Sequence, residues 1–331
     1  VSDLERILDS LSFETAVLIT CSDRWTLEAA RISAPLMKRF RVCAPAWDVL
    51  RRFVNKGQFA ELVRSAQVPH PFTVVAKTEG ELRELARESG DRLFLKPMDS
   101  QMFLQKFGKK AFRLDDLGRA VEVFARAREA GLGLLVQEYI PGASDRHYFV
   151  DGFVRRDHAI HAAFGRRRLR MFPLEFGNSS YMISVPIGEV AEGVDTLEKL
   201  FDRAGYRGVF SAEFKFDERD GHLKILEVNC RPWWYVQFTA ECGVNVVDMA
   251  YRDALDLPLP DPGEYESGAR LVYPYYDAQA LKQIRRAGKP VLREYLTCWP
   301  GAMTPVFAWD DPAPAASEIV SRLKDRFSRH R

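Results

Sequence analysis

The sequence predicts a mixed α/β and α+β protein. It should have an N-terminal parallel α/β lobe, a small α+β lobe and a larger lobe on an antiparallel sheet. Three observations predict this. The chain has 331 residues, more than one typical compact domain holds. Its start alternates strand, helix and strand, the rhythm of a parallel sheet. Its middle carries successive strand-like runs joined by short turns, ending in a hairpin pattern at Gly208–Asn229.

Taken in order, "TAVLIT" (Thr15–Thr20) is a short apolar run rich in β-branched residues, and "FRVCAP" (Phe40–Pro45) reads as a second short strand. "VNKGQFAELVRSAQVPHP" reads as a helix closed by Pro69 and Pro71. "FTVVA", "EGELRELARESG", "RLFLKP", "DDLGRAVEVFARAREAG" and "LLVQEYI" then alternate strand and helix. Asp115 is the expected N-cap of the second helix and Gly131 its C′ residue. "HYFVDGFV", "HAIHAAFG" and "YMISVP" read as antiparallel strands, and the helix "DTLEKLFDRAG" leads into the hairpin. From Leu257 the composition turns to Pro, Asp and Gly. The expected divisions are 1–71, 72–140, 141–262 and a C-terminal extension, 263–331.

Composition narrows the partners. Apolar residues make up 47 % and charged residues 28 %, ordinary for a globular chain. The formal net charge of +2 gives no case for nucleic acid, and no run approaches the roughly 18 apolar residues of a membrane span. Five scattered cysteines without a Cys-x-x-Cys pair read as reduced thiols, hence a cytoplasmic setting.

The hairpin carries the chemistry. If Phe216 and His222 flank the "DERDG" loop, then Ala212, Phe214, Phe216, Leu226, Val228 and Cys230 share an apolar face. Ser211, Glu213, Lys215, Ile225, Glu227 and Asn229 share the other. Glu213 and Glu227 then become diagonal neighbours, about 7–8 Å apart at Cα. Two carboxylates that close repel unless a cation sits between them, and Mg²⁺ (or Mn²⁺) suits one or two carboxylates plus phosphates and water. Asn229 adds a neutral amide oxygen. The bland alternative is a solvated hairpin face.

At these residues the sequence resembles the ATP-grasp superfamily, most closely its carboxylate–amine ligases. "EFKFD…GHLKILEVNCRPW" is similar to that family's magnesium signature, an acid on one strand followed by Glu-x-Asn on the next. The resemblance runs from about Thr15 to Leu257. It implies ATP contacts at Lys56 and, on "LFLKP", at Lys96, which would reach the α- and β-phosphates. Asn55 stands where the family usually has Asp. "LLVQEYIPG" looks like the hinge that reads adenine through the backbone of Gln137, Glu138, Tyr139 and Ile140, with the Glu138 side chain facing the amino group. Asp145 is the implied ribose contact. The loop between Lys96 and Phe112 departs from the family in having Gly108 as its only glycine; Lys106, Lys109 and Lys110 would supply positive charge there. The resemblance also implies a complete βαβ unit before "AVLIT". Since the chain begins at Val1, the N-terminal lobe is expected to be truncated.

The function so implied is ATP-dependent ligation of a carboxylate to an amine through an acyl phosphate, with Mg–ATP giving ADP and phosphate. Arg231, one strand step beyond Asn229, would hold the carboxylate and stabilise the developing oxyanion. Alternation puts Arg166, Arg168 and Arg170 on one side of "GRRRLRMFP", and Arg binds carboxylates bidentately. Within the related ligases a similar Arg-x-x-Pro segment lines the acceptor pocket, so Arg170, then Arg168, are the expected substrate contacts. The partners are a small-molecule carboxylate and amine, with a homodimer as an allowed assembly. The competing expectations are a phosphotransferase on the same fold and a non-catalytic ATP-binding module.

Overall fold

The computed structural model describes residues 2–89, 92–98, 103, 106–108, 111–308 and 310–328. Lys109 and Lys110 of the phosphate-loop expectation lie outside these residues, and Lys106 is exposed.

The N-terminal lobe pairs β1 (Ala16–Leu18) and β2 (Phe40–Val42) in parallel. Ser22 starts the helix Asp23–Ala29 by accepting from the Trp25 N–H. This leaves Asp23 at the carboxyl end of β1, where ligands of parallel sheets bind. Helices Trp47–Val54 and Lys56–Ser65 follow, and Asn55 caps the second by accepting from Gln58 N at 3.0 Å.

The small lobe is a four-stranded antiparallel sheet in the order β3 (Thr73–Val75), β6 (Leu134–Glu138), β4 (Leu93–Pro97), β5 (Phe112–Arg113). Leu93, Leu95, Leu134 and Val136 share a core with Leu82, Val123 and Phe124 of helices Glu79–Ser89 and Leu117–Glu129. Strand alternation therefore turns Lys96, Leu135 and Gln137 to the opposite face. The N-cap of Leu117–Glu129 is Asp116, not the expected Asp115, whose carboxylate instead accepts from Asp116 N. Gly131 takes φ +68°, as its C′ position requires.

The large lobe is a six-stranded antiparallel sheet in the order β11 (His222–Asn229), β10 (Gly208–Asp217), β7 (His147–Val154), β8 (Ile160–Phe172), β9 (Asn178–Ser184), β12 (Arg270–Val272). Phe214, Ile225 and Val228 pack on helix Ala191–Ala204 and on Phe53 and Phe59 of the N-terminal helices. On the other face Phe153 and Val209 pack under helices Val236–Glu241 and Val246–Ala254. Along β7 and β10 that second face then turns polar, at Asp151 and Ser211, and next at His147 and Glu213. The segment set apart as 263–331 supplies β12, so it is knitted into this sheet by pairing with β9. No described helix is long and apolar enough to cross a membrane.

The hairpin register differs from the expectation. Asp217 pairs with His222, and Phe214 pairs with Ile225, but Glu213 pairs directly with Glu227. The skipped residue is Leu226, a β-bulge. It flips the strand's parity, so Leu223 and Ile225 before it and Val228 after it all face the core, while Leu226 lines the cleft. The two carboxylates are thus cross-strand neighbours rather than diagonal ones, with Cβ atoms about 4.5–5.5 Å apart.

Candidate active site

The small-lobe sheet, the helix Lys56–Ser65 and β11 line a cleft open to solvent. Its lining gathers Lys56, Lys96, Gln137, Glu227 and Asn229, together with Asp23, Thr73 and Leu226. Lys96 Nζ reaches across the lobes to within 3.9 Å of Glu227 Oε2. Lys56, the first residue of its helix, donates to the Pro97 carbonyl at 2.8 Å, so it sits where the loop after Lys96 begins.

Glu213 is partly buried, its side chain 16 % exposed, and pairs with Glu227. One of its oxygens accepts from His147 Nδ1 at 2.7 Å and lies 3.0 Å from Arg168 Nη1. Burial opposes its ionisation, but the Arg168 charge and the His147 hydrogen bond outweigh it and hold the carboxyl well below the usual range. Burial also lowers the His147 pKa. A neutral imidazole bonded to a carboxylate must carry its proton on Nδ1, so His147 is the donor. Burial, then the Arg168 charge, bring Lys215 down to about 8. Asn229 Nδ2 donates to the Ser211 carbonyl at 3.5 Å, and its Oδ1 accepts from Arg231 Nη2 at 3.3 Å.

The donor set fits a hard cation. Among the described residues no group of three or more His, Cys, Asp and Glu could hold a metal. What converges is two carboxylates and an amide oxygen, with Glu213 kept ionised. Such a set leaves positions for phosphate and water, as Mg²⁺ prefers, and lacks the nitrogen and sulfur ligands of zinc sites.

Arg231 is held by the N-terminal lobe. Its Nε donates to Asp23 Oδ1 at 2.6 Å and its Nη2 to Asp23 Oδ2 at 3.3 Å. Asp23 went unremarked in the sequence reading. Its place after a parallel strand was the signal for it.

Three expectations need correction. The Glu138 carboxylate does not face the cleft: it accepts from Arg219 Nη2 at 2.6 Å and from Phe72 N at 3.2 Å. Its strand parity is that of Leu134 and Val136, opposite to Gln137. The Asp145 carboxylate is already engaged, accepting from Arg167 at 3.2 Å. Arg170 shares the buried side of β8 with Arg166 and Arg168 but offers no open fork. Its Nε and Nη2 donate to Asp277 at 2.9 Å each, and Nη1 donates to Glu294 at 2.6 Å. Arg168 likewise spends its Nε on Ser179 Oγ at 2.8 Å while holding Glu213.

Asp277, fully buried, also accepts from Ser180 and from Trp299 Nε1. Removing it strips the buried Arg170 guanidinium of the carboxylate that takes two of its donors and leaves only the partly exposed Glu294 as its anion. Asp277→Ala should therefore lose about 3–5 kcal/mol of stability in urea unfolding, with nucleotide affinity of the folded fraction unchanged.

The hinge is partly committed. Glu138 N donates to the Phe72 carbonyl at 2.8 Å and Tyr139 N to the Arg92 carbonyl at 2.7 Å. The Gln137 side chain donates to Thr73 Oγ1 at 2.9 Å. Phe176, from the β8–β9 connection, packs on Phe94 and Tyr139 with centroids 5.2 and 6.3 Å away, so an aromatic wall spans the two lobes. Ile140 is buried just beyond it.

No family model matches the sequence. The chain is 25 % identical over 248 residues to D-aspartate ligase of Enterococcus faecium, an alignment covering 72 % of this chain and 58 % of that protein. Among solved structures, it resembles the biotin carboxylase domain of Hydrogenobacter thermophilus 2-oxoglutarate carboxylase, determined with MgADP and bicarbonate, with a TM-score of 0.64 and 20 % identity over 80 % of this chain and 60 % of that one. It also resembles carboxyaminoimidazole ribonucleotide synthase of Aspergillus clavatus, complexed with ATP, with a TM-score of 0.55 and 19 % identity over 71 % and 59 % of the two chains. The present chain therefore spans less than two thirds of the length of each. The fold the chain shares with these two structures is the ATP-grasp fold.

Proposed function

We propose that this protein is an ATP-dependent carboxylate–amine ligase. The observation that carries the reading is the meeting of Lys96 from the small lobe with the Glu213–Glu227 pair of the large lobe across one cleft. In this reading Lys96 and Lys56 hold phosphate oxygens, and the Ile140 N–H and the hinge carbonyls read the adenine edge. Mg²⁺ at Glu213, Glu227 and Asn229 would supply charge neutralisation for the phosphates. The substrate carboxylate, oriented by Arg231, attacks the γ-phosphorus and ADP departs. The amine then adds to the acyl carbon of the acyl phosphate, and phosphate leaves. That intermediate hydrolyses readily, which gives closure of the small lobe its purpose.

D-Aspartate is the first acid to test, because the curated relative is a D-aspartate ligase. The experiment is an ADP-release screen of acid and amine pairs with mass spectrometry of the product. Ligation predicts ADP release that requires both partners, and a product shorter by one water. Release with the acid alone and a stable phosphorylated acid would replace ligation with phosphotransfer.

Lys96→Ala should weaken ATP binding about ten- to a hundredfold, the value of one charge-assisted contact of about 1.5–3 kcal/mol. An unchanged dissociation constant in calorimetry would reduce Lys96 to a partner of Glu227.

A further inference from the structure

Lys215 lies one two-residue step from Glu213 on β10, on the same face and toward the hinge. Its residue is only 6 % exposed. Among the described residues no hydrogen bond or ion pair reaches its ammonium, which lies 4.9 Å from the centre of the Tyr139 ring. The neighbouring acids are already taken. Glu213 is held by His147 and Arg168. Asp217 accepts from Arg219 at 2.8 Å and from Lys224 at 2.6 Å. Beneath the lysine stem lies Gly142, at φ +111°; a Cβ there would come within 4.0 Å of Lys215 Cε.

A buried ammonium has three donors to satisfy. An aromatic face offsets part of the charge but accepts no conventional hydrogen bond. Position says which acceptor is missing. Lys56 and Lys96 stand at the phosphate end of the cleft, beside Glu227. Lys215 is not among the residues that line the cleft with them; it stands against the ring of Tyr139, just past β6.

We propose that Lys215 is a specificity-determining residue that donates to an acceptor atom of the nucleoside, on the purine ring or the ribose. The inference rests on the nucleotide-binding part of the proposed function. A phosphate oxygen is the competing acceptor, and the same experiment separates the two.

The test measures dissociation constants of adenosine, AMP, ADP and ATP for the wild type and for Lys215→Met, which keeps the apolar stem. Displacement of a fluorescent ATP analogue serves as the readout, with urea unfolding as the control on folding. Every member of the series should weaken by the same factor, about ten- to a hundredfold. The atom is then found with 1-deazaadenosine, 3-deazaadenosine, 7-deazaadenosine, 2′-deoxyadenosine and 3′-deoxyadenosine. The analogue lacking the contacted acceptor should bind wild type and variant equally, the coupling a double-mutant cycle measures. If Lys215→Met does not fold, Lys215→Leu takes its place. Loss confined to the phosphorylated ligands overturns the nucleoside assignment, as does equal weakening of adenosine and every analogue. An unchanged series makes Lys215 a support for Tyr139 and overturns the inference alone. A wild type that binds no adenine nucleotide overturns both this inference and the ligase reading.

Discussion

Glu227→Ala should abolish ligation, lowering ADP release by at least about 10³-fold, while the protein stays folded. The two acids of the hairpin differ in what else depends on them. The Glu227 side chain is 42 % exposed, and Lys96, at 3.9 Å, is the cation beside it. Its loss strands no buried charge; it removes one of two carboxylates from the proposed metal site. Glu213 is less exposed, at 16 %, and receives Arg168 and His147. Glu213→Ala should also stop turnover, but it leaves the Arg168 guanidinium without its anion, so about 3–5 kcal/mol of stability should go with it. ADP release across a magnesium titration, read beside urea unfolding, separates the pair. Glu227→Ala with full magnesium-dependent activity and normal ATP binding would sink the metal assignment.

Much of this site was legible in the sequence because strands encode facing in alternation. The cleft-facing parity of Ser211, Glu213 and Lys215 on β10 followed from the apolar residues between them. The register of β11 did not. "KILEVN" has apolar residues at both Ile225 and Leu226, so either parity satisfies the core, and the bulge that decides between them leaves no local mark. The fate of Arg170 was illegible for a different reason: its partner Asp277 lies 107 residues further on, in a segment whose pairing with the sheet no short-range pattern announces. Glu138 is the instructive case. Alternation in "LLVQE" already set it opposite to Gln137, and the resemblance to a hinge displaced that simpler argument. Asp23 could have been found from its place at the end of a parallel strand.

Arg231→Ala should bind Mg–ATP almost normally and lose about 10²–10³ in turnover. The guanidinium sits one strand step past Asn229, whose Oδ1 it contacts at 3.3 Å, and Asp23 grips it from the N-terminal lobe. Asp23, Asn229 and the Pro232 carbonyl thus hold one planar fork along the edge of the proposed metal site. In the ligase reading negative charge develops near that edge twice, at phosphoryl transfer and at the tetrahedral adduct. A donor aligned beforehand stabilises both states without reorganising. Arg231→Lys should rescue little, since a point charge cannot bridge Asp23 and Asn229 and also meet the developing oxyanion. The alternative is that the Arg231–Asp23 pair only ties the lobes together. The Asp23 side chain is 47 % exposed, so a tie of that kind is worth at most about 1 kcal/mol. Under that alternative both Arg231 variants keep near-wild-type turnover and lose only a little stability. Nucleotide affinity and ADP release measured side by side therefore decide it: a hundredfold fall in turnover at constant affinity assigns Arg231 to the reacting atoms, and a small loss of stability with turnover intact assigns it to the lobe interface.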